Sequence, residues 1–187
     1  MFEQVRPAIT LSILFSVLLG MAYPLAITGA AGILSPQTAR GSVLYRDGIV
    51  VGSSLIGQRF VSESYFWSRP SATSPEAYDA SASTGSNLAP TSAALMERIK
   101  QSVALLGAST PVPADAVTTS ASGLDPDISP AFAALQVDRV ARARKLEPAQ
   151  VTALVKAGTQ WPFLGIFGEP RVNVLALNLA LDEATAK

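Results

Sequence analysis

Residues Pro7–Leu34 read PAITLSILFSVLLGMAYPLAITGAAGIL, and the rest of the chain is organised around them. Arg6 and Arg40 are the nearest charges on either side, so positions 7–39 carry no formal charge. Ile9, Leu11, Ile13, Leu14, Phe15, Val17, Leu18 and Leu19 form a dense apolar block, which Met21 to Ile27 extend past Pro24. The ~30 Å hydrocarbon core of a bilayer needs about 20 helical residues at ~1.5 Å each, and Ile9 to Thr28 meets that length. In hydrocarbon every backbone N–H and C=O must be paired within the segment, so such a stretch crosses as a helix. Pro24 stands in the last third, where a membrane helix tolerates a kink. The competing reading is a cleaved signal peptide, with an apolar core of ~7–15 residues followed by small residues. Ala26 to Gly32 is rich in small residues, but Leu25, Ile27, Ile33 and Leu34 carry the apolar run past a plausible cut. The expectation is a signal anchor: residues 1–7 a short cytoplasmic N-terminus, 8–34 the transmembrane helix, 35–187 one extracytoplasmic domain. Charge hardly votes on orientation, with Arg6 on one side and Arg40 and Arg46 on the other. The short head and large following domain favour export of the C-terminal part.

The chain has 14 basic and 14 acidic residues. Glu3 and Arg6 offset each other, so residues 35–187 are neutral too and offer no basic field to nucleic acid. There is no cysteine and no histidine. That excludes cysteine zinc sites, a Ser-His-Asp triad, cysteine nucleophiles and disulfides. Chemistry would have to rest on carboxylates, a Ser-Lys pair or an oxygen-held metal, and no catalytic residue or metal set is expected.

The fold class expected is α+β, one N-terminal transmembrane helix followed by a single mixed α/β domain. Val43-Leu44-Tyr45 and Ile49-Val50-Val51 read as a hairpin across Asp47-Gly48, residues suited to a turn with positive φ. Leu55 to Phe60 continues as strand or turn. Tyr65-Phe66-Trp67, closed by Pro70, reads as three core rings. Ser71 to Ser92 is a long small-residue loop that Tyr78 and Leu88 could pin. A helix opens at Pro90 or Thr91, carries Leu95, Ile99 and Val103, and closes at Gly107. Gly107 to Pro130 is rich in Pro, Ser and Thr, with Val117 in a short strand. Ser129-Pro130 caps a helix whose Arg139, Arg142, Arg144 and Lys145 suit its C-terminal dipole. Pro148 begins another helix, ended by Gly158. Trp161 to Phe167 reads as a strand, Gly168-Glu169-Pro170 as a turn, and Val172-Asn173-Val174 leads into a helix over Leu175 to Leu181.

Few constellations suggest chemistry. Ser83-Thr84-Gly85-Ser86-Asn87 could present backbone N–H groups to an anion. It lacks the Gly-Lys-Ser/Thr ending of a P-loop, and the competing reading is an ordered loop packed before the next helix, with Asn87 bonding local backbone. Asp125, Asp127 and Ser129 alternate like the start of a calcium loop, but Pro126 and Pro130 interrupt it, and the turn-and-cap reading is preferred. For a Ser-Lys dyad, Lys100, Lys145 and Lys156 all lack apolar surroundings that would lower their pKa.

Taken together the segments resemble the C subunit of the Kdp-type potassium-transporting ATPase of bacteria, over nearly the whole chain. The resemblance rests on Tyr23-Pro24, Gly52-Ser53-Ser54-Leu55-Ile56-Gly57-Gln58, Tyr65 to Ala72, Gly85-Ser86-Asn87-Leu88, Val117 to Pro126, Gln136 to Arg144, and Gly168 to Leu175. Two departures stand out. The family's double-glycine loop reads Ser83-Thr84-Gly85, and a His-Thr-Glu run reads Gly158-Thr159-Gln160. The resemblance implies a non-catalytic, single-span accessory subunit of the bacterial inner membrane. Its partners would be a potassium-channel-like subunit, a P-type ATPase subunit, a small membrane subunit and membrane lipid. Potassium would be the transported ion, and ATP would be reached through the catalytic partner. The family is also described as a chaperone that raises that partner's ATP affinity, with the glycine-serine loop likened to an ABC-transporter signature. On that description Ser83, Gly85, Ser86 and Asn87 would be nucleotide-binding candidates. A membrane-anchored enzyme or envelope binding domain unrelated to the pump is the alternative.

Overall fold

Proline at position 24 shapes the first part of the computed structural model, which describes residues 2–107 and 111–185. Helix α1 (Val5–Val17), a π-turn at Leu18–Ala22 and helix α2 (Tyr23–Leu34) run as one continuous helix. Pro24 has no N–H to donate, and in a regular α-helix its ring would collide with the carbonyl of Gly20. The π-turn answers this locally: the Tyr23 N–H donates to the Leu18 carbonyl five residues back, admitting one extra residue before the proline. No residue of the helix is buried, and it is long and apolar enough to cross a membrane, with a mean hydropathy of 1.9. The short helix α3 (Pro36–Ala39) follows. The chain divides into two compact units, Met1–Val43 and Leu44–Lys187.

In the second unit, β1 (Val43–Arg46) and β2 (Ile49–Ser53) form the expected hairpin. Asp47 and Gly48 both take positive φ, 51° and 78°, as the tight primed turns require. Leu55 to Phe60 is not a strand; the chain bends there, and the Gly57 N–H donates to the Leu124 carbonyl. Helix α4 (Ala93–Leu106) starts after Ser92, slightly later than Pro90 or Thr91, and ends at Gly107 in the left-handed conformation. Val117 lies in no strand. It closes a 3-10 turn over Ala114–Ala116 that begins after Pro113, whose missing N–H would weaken any ladder. Residues 108–110 of that stretch lie outside the described residues.

The core forms where three helices meet a small sheet. Strands β3 (Asp127–Ile128), β5 (Arg171–Asn173) and β4 (Thr159–Gln160) make an antiparallel sheet in the order β3-β5-β4, with Val172 opposite both Ile128 and Thr159. Helix α5 (Pro130–Arg144) is capped by Ser129, whose Oγ accepts from the Phe132 N–H at 3.0 Å. Helix α6 (Pro148–Gly158) opens on a Glu147/Gln150 capping box. Helix α7 (Val174–Thr185) continues directly from β5. Phe66, Phe132, Val140, Val151, Val172 and Leu181 are fully enclosed between these elements. The strand expected over Trp161 to Phe167 is absent. Pairing stops at Gln160, Pro162 lacks a donor, and the chain folds into a turn held by one Phe163–Phe167 bridge.

Candidate functional site

Ser83 to Asn87 forms no free cradle. The Thr84 N–H and the Ser83 hydroxyl both donate to the Ser122 carbonyl, each at 3.0 Å. A Cβ on Gly85 would lie 2.9 Å from the Ala121 carbonyl oxygen, and one on Gly123 would lie 2.7 Å from that of Thr84. Both glycines therefore permit two loops to lie backbone against backbone. Asn87 takes φ 52° and its side chain is exposed. Its contribution is to the left-handed backbone, which Asn tolerates better than most residues, rather than the side-chain bond expected.

The aspartates of the apparent calcium pattern are engaged by the protein. Asp125 accepts from Arg69 at 2.7 Å and from the Asp127 N–H at 3.1 Å. Asp127 pairs with Arg171 at 3.2 Å and accepts from Asn173; burial nevertheless pushes its carboxyl above the usual range. Ser129 caps α5 while its N–H and hydroxyl donate to Asp115. Turn and cap describe the segment. Tyr78 pins the preceding loop as expected, donating its hydroxyl to the Arg69 carbonyl. Burial pushes its phenol up to about 12. Lys100, Lys145 and Lys156 are all exposed.

The basic end of α5 does something the sequence reading missed. Arg139 lies over the Trp67 ring, 3.8 Å from its centroid, and donates to the carbonyls of Glu63 and Tyr65. Arg144 lies over the Tyr65 ring, donates to the Ser64 carbonyl and pairs with Asp182 at 2.6 Å. These arginines clasp the 63–67 segment rather than only complementing a dipole, and burial lowers the pKa of Arg139. Burial pushes the Asp182 carboxyl up, but hydrogen bonds from Arg144, Arg46 and Tyr65 outweigh it and hold the group below the ordinary carboxylate range. Two buried amides complete the clasp. Asn178 accepts from the Phe66 N–H at 2.8 Å and donates to its carbonyl at 3.0 Å, and Gln136 does the same for Trp67 at 2.7 and 3.1 Å. Of the three rings expected in the core, only Phe66 is fully buried; Tyr65 and Trp67 lie under the arginines. The available signal was an amide within an apolar helical face: Gln136 between Phe132 and Val140, Asn178 between Val174 and Leu181.

The surface has a different character. Trp161, Phe163, Leu164, Ile166 and Phe167 are each 65% to 77% exposed, and nothing between Lys156 and Arg171 is charged except Glu169. Beside them an apolar groove of about 690 Å³ runs between α5 and α6, lined by Pro130, Ala134, Val137, Thr152, Val155 and Trp161 among others. Helix α4 has no buried residue, and Leu105 and Met96 face outward from it. Monomeric domains rarely expose so much contiguous apolar surface unless it is covered elsewhere.

An exposed apolar helix, joined to an α+β domain whose charged groups hold its own loops and whose apolar side chains face outward, describes a membrane-associated accessory subunit. The comparisons with known proteins name the particular family. Residues 5–183 match the family described as K+-transporting ATPase, c chain. The "Potassium-transporting ATPase KdpC subunit" of Variovorax paradoxus (strain S110) is 58% identical over 191 residues, covering 100% of this chain and 99% of that one. Proteins of the same name from Rhodopseudomonas palustris (strain BisB5) and Bradyrhizobium diazoefficiens are 52% and 53% identical, with full coverage of both chains. The chain belongs to this family. It is an accessory subunit of the potassium pump, not the catalytic one, and the unrelated enzyme or envelope domain is set aside.

Proposed function

We propose that this subunit stabilises the pump from outside the membrane. Residues 1–7 remain in the cytoplasm, 8–34 span the inner membrane, and 35–187 stand on the extracytoplasmic side. The domain assembles with the channel-like subunit, the P-type ATPase subunit and the small membrane subunit, and shapes the outer potassium entrance. The observation that carries this reading is the helix Val5–Leu34, apolar and with no buried residue. Water would charge roughly 25 cal/mol for each Å² of such surface, so lipid or partner helices must surround it.

Any effect on ATP affinity is then relayed through the membrane subunits, because a domain outside cannot reach a cytosolic nucleotide. The 83–87 loop fits this division. It has no lysine or arginine to neutralise a triphosphate, and part of its backbone is engaged with Ser122. Its role is to buttress the loop at 121–123. The chain has no cysteine, so single cysteines at the exposed Val50 or Gln101 report topology directly. Both should react with a membrane-impermeant thiol reagent in intact cells. Protection until lysis would reverse the orientation and restore the 83–87 loop as a nucleotide candidate.

A further inference from the structure

The turn at the tip of the exposed apolar loop has an unusual residue at its centre. The Ile166 N–H donates to the Phe163 carbonyl at 3.2 Å, and the two residues between, Leu164 and Gly165, have φ of 55° and 73°. The hairpin turn at Asp47-Gly48 has the same signs, 51° and 78°. Positive φ at the first central position suits Asn, Asp or Gly, whereas a bulky aliphatic residue there is strained. Leu164 is thus unfavourable twice, by its backbone conformation and by the 73% of its surface left to solvent. Neither serves the free domain. Two further bonds fix the loop, Gly165 N–H to the Pro162 carbonyl at 3.0 Å and Phe163 N–H to the Phe167 carbonyl at 3.1 Å. The product is a preformed, uncharged knob with Trp161 at its base.

We infer that the Trp161–Phe167 knob docks into an uncharged apolar pocket on another protein subunit of the same pump. The inference rests on the accessory-subunit reading above and names the surface it uses. Three observations select a protein pocket over a bilayer. First, a bilayer accepts a loop in any conformation, whereas a pocket rewards one whose shape is already set, since less ordering remains to be done on binding. Second, loops that lie on anionic lipid are flanked by Lys and Arg, while the charge next to this knob is Glu169. Third, Trp and Phe concentrated in a small patch, continuous with the groove between α5 and α6, is the make-up of an interface centre. A second copy of this chain would set a convex knob against a convex knob about a two-fold axis, which buries little.

The test uses the whole chain, tagged and co-expressed with the pump. Leu164→Asp should reduce the pump retained on the tag at least about tenfold, the scale of one interface anchor. Leu164→Asn separates docking from folding. It relieves the strained backbone, so the melting temperature of the free chain should stay level or rise while retention falls. A purely structural Leu164 would move both readouts together, which would overturn the proposal. Equal retention of wild type and Leu164→Asp would overturn it while leaving the accessory-subunit reading intact. A wild-type chain that retains no pump would overturn both. Finally, Leu164→Cys carrying an environment-sensitive fluorophore should be shielded only when the other subunits are present. Quenching by lipid nitroxides in nanodiscs holding this chain alone would assign the knob to the bilayer instead.

Discussion

Tyr65-Phe66-Trp67 and Trp161-Pro162-Phe163 are both short aromatic runs closed by turn residues, yet the fold treats them oppositely. The first is gripped on every side: Asn178 and Gln136 bond its backbone, Arg139 and Arg144 cover two rings, and Phe66 is fully enclosed. The second holds its own shape through local hydrogen bonds and leaves its rings in solvent. Aromatic content alone does not decide burial. What decides it is whether helices distant in sequence supply groups that satisfy the backbone beneath the rings, since a buried N–H or C=O left unpaired is penalised by ~1–3 kcal/mol.

The sharpest way to break this contrast is Asn178→Ala. It strips partners from both the N–H and the carbonyl of Phe66, and should lower unfolding free energy by roughly 2–4 kcal/mol, read by chemical denaturation of the detergent-solubilised chain. A loss under about 0.5 kcal/mol, the range of ordinary surface substitutions, would mean the amide is incidental to the clasp.

A smaller effect is expected from pH. Asp182 has a folded pKa below its unfolded value, so its stabilisation is fully present above the ordinary carboxylate pKa of about 3.9. It is lost as pH falls through the depressed folded value. Asp182→Asn should be less stable than wild type near neutrality, and the difference should shrink on acidification through that window. A constant difference across it would argue against the ion pairs with Arg46 and Arg144 as its source.

The smallest change is predicted for the other aromatic run. Trp161→Ser, at a residue 75% exposed, should alter the free chain's stability by no more than about 0.5 kcal/mol. A large destabilisation would mean the knob supports the domain, and the contrast between the two runs would collapse.

Local signals were legible in the sequence, and tertiary ones were not. Asp47-Gly48, Ser129-Pro130 and Gly107 each impose a turn or helix end through their own backbone chemistry, and each stands where that chemistry places it. The apolar helix was readable because hydrophobic length needs no partner to interpret. The clasp was not, because Arg139 meets Tyr65 across 74 positions and Asn178 meets Phe66 across 112. Trp161 to Phe167 was misread as a strand because an apolar run looks the same whether a sheet or another protein is to cover it. At the candidate loop, the glycine at 85 was visible, but its reason was not. Gly85 serves the approach of residue 121, and only the folded chain brings the two together.

The π-turn at Leu18–Ala22 has a consequence for how the anchor meets its neighbours. One inserted residue advances the helical register by about 100°. A row of side chains followed up one side of Val5–Val17 therefore continues on a different side of Tyr23–Leu34. The helix thus presents two azimuths, one for each leaflet's depth, and a neighbouring helix that follows one apolar seam along the first half loses it in the second.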